Sequence, residues 1–163
     1  MKQFKRLAAS LLVAVMALAI FTACGSVREK LEVVEQPEKK AVAISTIEKL
    51  ADEVPALKEL KLDSKMENAA KNGLEPALAY KKGAFPSQLA FALEMSRVTG
   101  IDIFELEKIY NENRYVGFSI PESQFSEATL KARLKSSIPQ NVTKYGISVA
   151  TYEGNTYVAM FFE

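Results

Sequence analysis

Apolar residues recur at helical spacing in the part of the chain that follows residue 40. One set predicts a first amphipathic helix: Ile44, Ile47, Leu50, Ala51 and Val54. Ser45 or Thr46 is suited to cap the start of this helix, and Pro55 lies just beyond its end. We therefore expect the folded part of the chain to begin near Ala41.

The helical period continues to about residue 110 and predicts three further helices. Ser64 and Glu67 have the spacing of a capping box, and Asn72-Gly73 can end that second helix. Pro86-Ser87 opens a third helix and Gly100 ends it. The predicted apolar face of the third helix consists of Leu89, Ala92, Leu93 and Ser96. A short fourth helix is predicted over residues 101–110, with Ile101, Phe104 and Ile109 facing inward.

Beyond residue 113 the pattern becomes that of strands. Residues 114–120 are rich in β-branched and aromatic side chains and predict a strand, which Pro121 ends. A fifth helix is predicted around Phe125, Leu130 and Leu134, with Ser123 or Ser126 as its cap.

Two strand-like runs complete the chain, residues 144–152 and 156–162. Glu153-Gly154-Asn155 joins them, and a short glycine-containing connection of this kind predicts a β-hairpin. Apolar side chains occupy both faces of the last run, with Phe161 on one face and Met160 and Phe162 on the other. A strand buried on both faces is expected between two layers of helices. We therefore predict an α+β fold, a three-layer α-β-α sandwich with a C-terminal antiparallel β-hairpin, over residues 41–163.

Residues 1–23 have the organisation of an export signal. A cationic start precedes an apolar run over residues 7–21 that only Ser10 interrupts, and small residues follow. Residues 21–24 resemble the lipobox of bacterial lipoproteins, with Phe21 where Leu is usual. The resemblance implies that Cys24 is diacylated and becomes the mature N-terminus. We expect an exported lipoprotein whose lipidated Cys24 attaches it to a membrane, at the cell surface or in the periplasm.

Residues 24–40 are charge-rich and contain Pro37. Such a composition does not bury enough apolar surface to fold alone, so we predict a tether between Cys24 and the domain. The leader holds three of the 21 basic residues and none of the 20 acidic ones, which leaves 18 basic residues and a formal charge of −2. This balance gives no electrostatic case for nucleic acid as a partner.

The chain contains no histidine, which excludes several kinds of chemistry. Nucleophilic triads and metal sites built on imidazole are absent in their usual form. No acidic calcium loop or glycine-rich phosphate loop is present either. We therefore expect no catalytic residues, no metal and no cofactor.

Several collinear segments resemble the bacterial branch of the CAP superfamily, the SCP-like extracellular domain. Residues 57–70 are similar to the segment with which that domain opens, and Asn111-Glu112-Asn113 stands where the family has Gly-Glu-Asn. Residues 119–137 and Asn141-Val142 follow the spacing of its next helix and loop, and residues 145–162 resemble its terminal hairpin. The resemblance implies a groove to which five residues of this chain would contribute: Glu112, Asn113, Ser137, Gln140 and Asn141.

The family often binds a divalent metal through two histidines and two acidic residues, and only Glu112 has a counterpart here. The resemblance therefore implies a degenerate, non-catalytic domain that binds an unknown ligand or protein of the cell envelope. Two alternatives stay open, a cell-wall-active enzyme that uses carboxylates alone and an unrelated α+β lipoprotein with a structural role. Glu105 and Glu107, with Glu112, are the carboxylates that such an enzyme could pair. The aromatic residues of the hairpin are expected to form core rather than a sugar-binding platform.

Overall fold

The computed structural model describes residues 28–163, and this part of the chain has an α+β fold. Its five helices are α1 (Pro37–Glu53), α2 (Ser64–Lys81), α3 (Gln88–Thr99), α4 (Ile103–Asn111) and α5 (Glu127–Ser137). Its five strands are β1 (Val34–Glu35), β2 (Lys61–Leu62), β3 (Tyr115–Pro121), β4 (Lys144–Tyr152) and β5 (Asn155–Phe162). The predicted leader and Cys24 lie outside the described residues.

All five strands belong to one sheet, in the order β1-β4-β5-β3, with β2 also paired to β4. The pairings are antiparallel except for β2, which runs parallel to the start of β4. β1 pairs with the other end of β4, where Val34 lies opposite Thr151. The two short strands therefore cover the outer edge of β4, whereas β3 forms the opposite edge of the sheet.

The predicted C-terminal hairpin is confirmed. β4 has the predicted bounds, and β5 begins at Asn155, one residue earlier than predicted. Glu153 and Gly154 form the connection with φ values of 47° and 72°. Positive φ at both central residues defines a type I′ turn, whose twist matches that of the paired strands.

Helices cover both faces of the sheet, which confirms the three-layer α-β-α sandwich. On one face, α1 and α5 bury the side chains of Tyr145, Ile147, Val149, Val158, Met160 and Phe162. On the other face, α2 and α3 pack over Gly146, Ala150, Ala159 and Phe161. Both faces of β5 are buried, as its apolar pattern predicted.

The helix α2 lies unusually close to the sheet at Gly146. A Cβ atom added to Gly146 would stand 1.9 Å from the carbonyl carbon of Met66 and 2.0 Å from the backbone nitrogen of Glu67. No side chain fits at that position, because the obstacle is helix backbone and cannot rotate away. The absence of a side chain at Gly146 therefore sets the separation between α2 and β4.

The prediction that the folded part begins at Ala41 is wrong, because residues 28–40 pack on the domain. β1 lies in this segment, and the N–H of Gln36 donates to the carbonyl of Val149 at 2.9 Å. Pro37 then begins α1, where its fixed φ suits the first helical turn. Ser45 and Thr46 therefore lie inside the helix and cap nothing.

Arg28 attaches the same segment to α2. Its two terminal nitrogens donate to the carboxylate oxygens of Glu75 at 2.5 and 2.6 Å, and the N–H of Leu31 donates to Glu75 at 2.9 Å. Burial alone would raise the pKa of Glu75, but these bonds outweigh it and lower the pKa below its ordinary value. The charge-rich composition predicted a tether, but residues 28–40 pack on the domain, because Arg28 pairs with the half-buried carboxylate of Glu75.

The predicted end of the second helix at Asn72-Gly73 is also wrong. α2 continues to Lys81, and Gly73 is buried against α3 and β5. A Cβ at Gly73 would stand 2.9 Å from the Met95 methyl and 3.4 Å from the Phe161 ring. The helix starts with Asp63 as its cap, whose carboxylate accepts from the N–H groups of Lys65 and Met66.

The contact at Gly146 predicts that a substitution there destabilises the fold, and Gly117 offers a matched control. We expect Gly146→Ala to lower the free energy of unfolding by about 3 kcal/mol or more, because α2 must move to admit a methyl group. Gly117→Ala on β3 should change it by less than about 1 kcal/mol, since a Cβ there meets only the Tyr115 side chain, at 3.4 Å. Urea denaturation measures both, and equal losses in the two variants would contradict the packing argument.

The bond between Arg28 and Glu75 predicts that the stability contributed by Glu75 depends on pH. A carboxylate with a lowered folded pKa stabilises the fold above its unfolded pKa of about 4.3 and loses that contribution as pH falls. We expect Glu75→Gln to cost about 1–2 kcal/mol at neutral pH, with the difference from wild type shrinking as pH falls from about 4.3. Glu127→Gln, which removes an exposed pair with Lys49, should leave the free energy of unfolding close to the wild-type value. A deficit of Glu75→Gln that did not vary with pH would contradict an ionic role.

Candidate functional site

A cavity of about 770 Å³ lies between the helical layer of α2, α3 and α4 and the sheet at β3 and β5. Its volume falls within the range of about 300–1,000 Å³ that is typical of small-molecule sites. The sheet contributes Tyr115, Gly117, Tyr157 and Ala159, and the helices contribute residues such as Ala77 and Ala92.

Small side chains on opposite walls explain why the space is empty. Gly117 and Ala159 are paired across β3 and β5 and lie where a larger pair would fill the gap. Ala77 on α2 and Ala92 on α3 face the same space. α2 packs directly on β4 and β5, whereas the main packing of α4 is against α3. The sheet beside β3 is therefore less closely covered than its centre.

The mouth of the cavity is apolar and exposed. Phe104 at the start of α4 is 77% exposed, Leu89 on α3 is 55% exposed, and both line the cavity. These positions correct two sequence predictions, since Leu89 and Phe104 were expected to face the core. The core side of α3 consists of Phe91 and Met95 instead. The periodicity therefore detected apolar positions correctly, but Leu89, Ala92 and Phe104 border a cavity.

A continuous row of aromatic rings forms one side of the site. Tyr80 stacks on Phe91 with 4.3 Å between ring centroids, and Phe91 lies 6.2 Å from Tyr110. Tyr110 lies 5.3 Å from Tyr115, which packs at 4.9 Å on Phe161 in the sheet. This row ties α2, α3 and α4 to β3 and gives the cavity a rigid wall.

The walls carry little charge. Lys81 and Glu107 are the charged residues of the described lining, and both are exposed. Burial raises the pKa of Tyr110 and of Tyr115 far above the ordinary range, so both hydroxyls stay neutral. The hydroxyl of Tyr110 is buried and has no hydrogen-bond partner among the described residues. The site is therefore apolar and uncharged inside.

None of the five predicted groove residues lines this cavity. Glu112 follows the end of α4, where its carboxylate pairs with Arg114 at 2.8 Å, and Asn113 turns the chain with a φ of 54°. Ser137 is the last residue of α5, and Gln140 and Asn141 lie in the connection from α5 to β4, where Asn141 has a φ of 60°. Both connections reach the same end of the sheet, on either side of β5. Within residues 28–163, no hydrogen bond or ion pair joins the two groups, and a shared groove stays a prediction.

Of the three carboxylates that could have served an enzyme, one lines the cavity. Glu107 lines the cavity, whereas Glu105 and Glu112 do not. In the described part of the chain, no group of three or more His, Cys, Asp and Glu side chains could hold a metal ion. The arrangement offers contact with an apolar group rather than a pair of reacting acids.

Comparisons with protein-family models, curated proteins and solved structures find no match to this chain. Over residues 28–163, no helix is both long and apolar enough to cross a bilayer.

Proposed function

We propose that this protein is a lipid-anchored, non-catalytic binding domain of the bacterial cell envelope, and that the cavity beside β3 is its ligand site. The observation that carries the proposal is the exposed apolar mouth at Phe104 and Leu89, which opens into a large uncharged space. Exposing large apolar side chains to water is costly, so a contiguous apolar site of this kind is typical of a binding surface.

Two features of the lining favour binding over catalysis. Glu107 is the one carboxylate among the described lining residues, so hydrolysis by two facing carboxylates has no second acid there. The buried tyrosine hydroxyls are neutral, because burial raises their pKa values and no phenolate forms at ordinary pH to act as a base. The walls therefore offer contact area and few reactive groups.

The proposal includes the resemblance to a degenerate SCP-like domain. The α-β-α layering and the C-terminal hairpin are what that resemblance implies, and they support it. The lipid anchor rests on the leader and on Cys24. Two acyl chains hold a protein on a membrane far more firmly than one, so a diacylated Cys24 would keep the cavity close to the bilayer surface.

The anchor is tested by Cys24→Ala. We expect the variant to appear as soluble mature protein or as an unprocessed precursor, because no thiol is present to accept the diacylglycerol group. Membrane fractionation, with labelling by radioactive fatty acid, measures the change. A variant that still fractionates with membranes at the wild-type mass would show that Cys24 is not the anchor.

The cavity is tested with a neutral naphthylamine dye whose fluorescence rises in apolar surroundings. We expect saturable binding to the wild-type domain and an affinity lowered about fivefold by Phe104→Ala, which removes apolar contact area at the mouth. The stability of this variant should change little, since Phe104 is mostly exposed. Leu62→Ala removes a 43% exposed side chain at the opposite edge of the sheet and should leave dye affinity unchanged. Absence of saturable binding, or equal loss in both variants, would refute the assignment of the site.

A further inference from the structure

The two edges of the sheet differ in whether another strand covers them. β1 and β2 cover the outer edge of β4, so most backbone groups there have partners. β3 spans seven residues at the opposite edge, and in the described part of the chain no strand pairs with its outer side. An uncovered edge strand is a template for pairing with another extended chain.

The register shows which backbone groups of β3 are free. The carbonyl of Arg114 accepts from the N–H of Phe162, and the N–H of Glu122 donates to the carbonyl of Gly154. Hydrogen-bonding direction alternates along an antiparallel strand, so the even-numbered residues of β3 face β5. The N–H and C=O groups of Tyr115, Gly117 and Ser119 therefore point outward, and within residues 28–163 no backbone group pairs with them.

The free edge lacks the residues that usually protect one. Proteins block exposed edges with charged side chains, prolines or bulges. The seven residues of β3 carry no charge, and Pro121 stands only at the end of the strand. Gly117, at the middle of the edge, is exposed.

We propose that the occupant of the site is an extended, uncharged peptide segment that adds to the free edge of β3 as a further strand and places alternate apolar side chains in the cavity. This inference rests on the proposed function and names the class of its partner. Its backbone would pair with Tyr115, Gly117 and Ser119, and this mode of recognition takes affinity from main-chain bonds and specificity from side-chain pockets.

Geometry and charge fit this occupant. Residues directly opposite one another on neighbouring strands point to the same face of a sheet. A residue opposite Gly117 would therefore direct its side chain to the cavity face, where Gly117 leaves space. The uncharged strand and the uncharged interior complement a segment without formal charge, because burying an unpaired charge there would be costly.

A displayed library of random octapeptides tests the proposal against the purified domain. We expect selection of segments with apolar residues at every second position, the period that places one set of side chains on a single face. Apolar residues three or four apart would indicate a helix lying in the cavity and would overturn the inference. So would failure to select any peptide.

Backbone methylation of a selected peptide then separates strand addition from simple apolar contact. Methylating the amides that face β3 should abolish binding, whereas methylating the alternate amides should leave it within about threefold. Equal effects of the two sets would refute strand addition. This measurement needs no variant of the protein.

A matched pair of variants gives the complementary test. Ser119→Pro removes one outward N–H and should weaken peptide binding about 3- to 10-fold, the range expected for one backbone hydrogen bond. Ser119→Ala keeps the N–H and should bind as wild type. Proline is tolerated on edge strands where its nitrogen faces outward, and thermal unfolding checks that both variants fold. Equal peptide affinity of the two folded variants would contradict the proposal.

The naphthylamine dye distinguishes a failure of the strand inference from a failure of the proposed function, because the dye would occupy the cavity without forming a backbone hydrogen bond. Ser119→Pro should bind the dye as wild type does. If the dye binds and no peptide does, the strand inference fails while the proposed function stands. If neither binds, both fail.

Discussion

The contact between the backbone of α2 and Gly146 is the constraint on which the other layers depend. Because only a hydrogen atom fits between them, α2 lies directly over β4 and β5 and buries Ala69, Ala70 and Leu74. In that position Gly73 meets Met95, so α3 packs closely beside α2. The absence of two side chains thus determines where the helical layer lies on the sheet.

The cavity is a consequence of this arrangement. α2 occupies the centre of one sheet face, and α4 joins the layer mainly through α3 and the aromatic row that ends at Tyr115. The face of β3 next to α4 is left with Gly117, whose missing side chain makes room. Atoms that line an empty apolar space lack dispersion contacts on one side, so the cavity lowers the stability of the domain. An occupant of the cavity could restore those contacts.

The cavity and the free edge of β3 are parts of one surface. The cavity supplies largely apolar walls, and the edge supplies backbone donors and acceptors at Tyr115, Gly117 and Ser119. The opposite edge of the sheet is covered by β1 and β2. In the proposed role, the open edge of β3 gives the described part of the chain a side from which an extended chain can join it.

Local pattern in the sequence determined the class of the fold and most of its elements, because strand period, turn residues and caps such as Ser87 and Ser126 act over a few residues. It also marked Leu89 and Phe104 as apolar, but it could not say whether they face a core or a cavity. That depends on how the helices pack over β3 and β5, which only the tertiary structure decided. The same limit applies to Gly73 and to residues 28–40. A glycine that ends a helix and one that admits a neighbouring helix look alike in sequence, and a charged segment packs only when a partner such as Glu75 is brought to it.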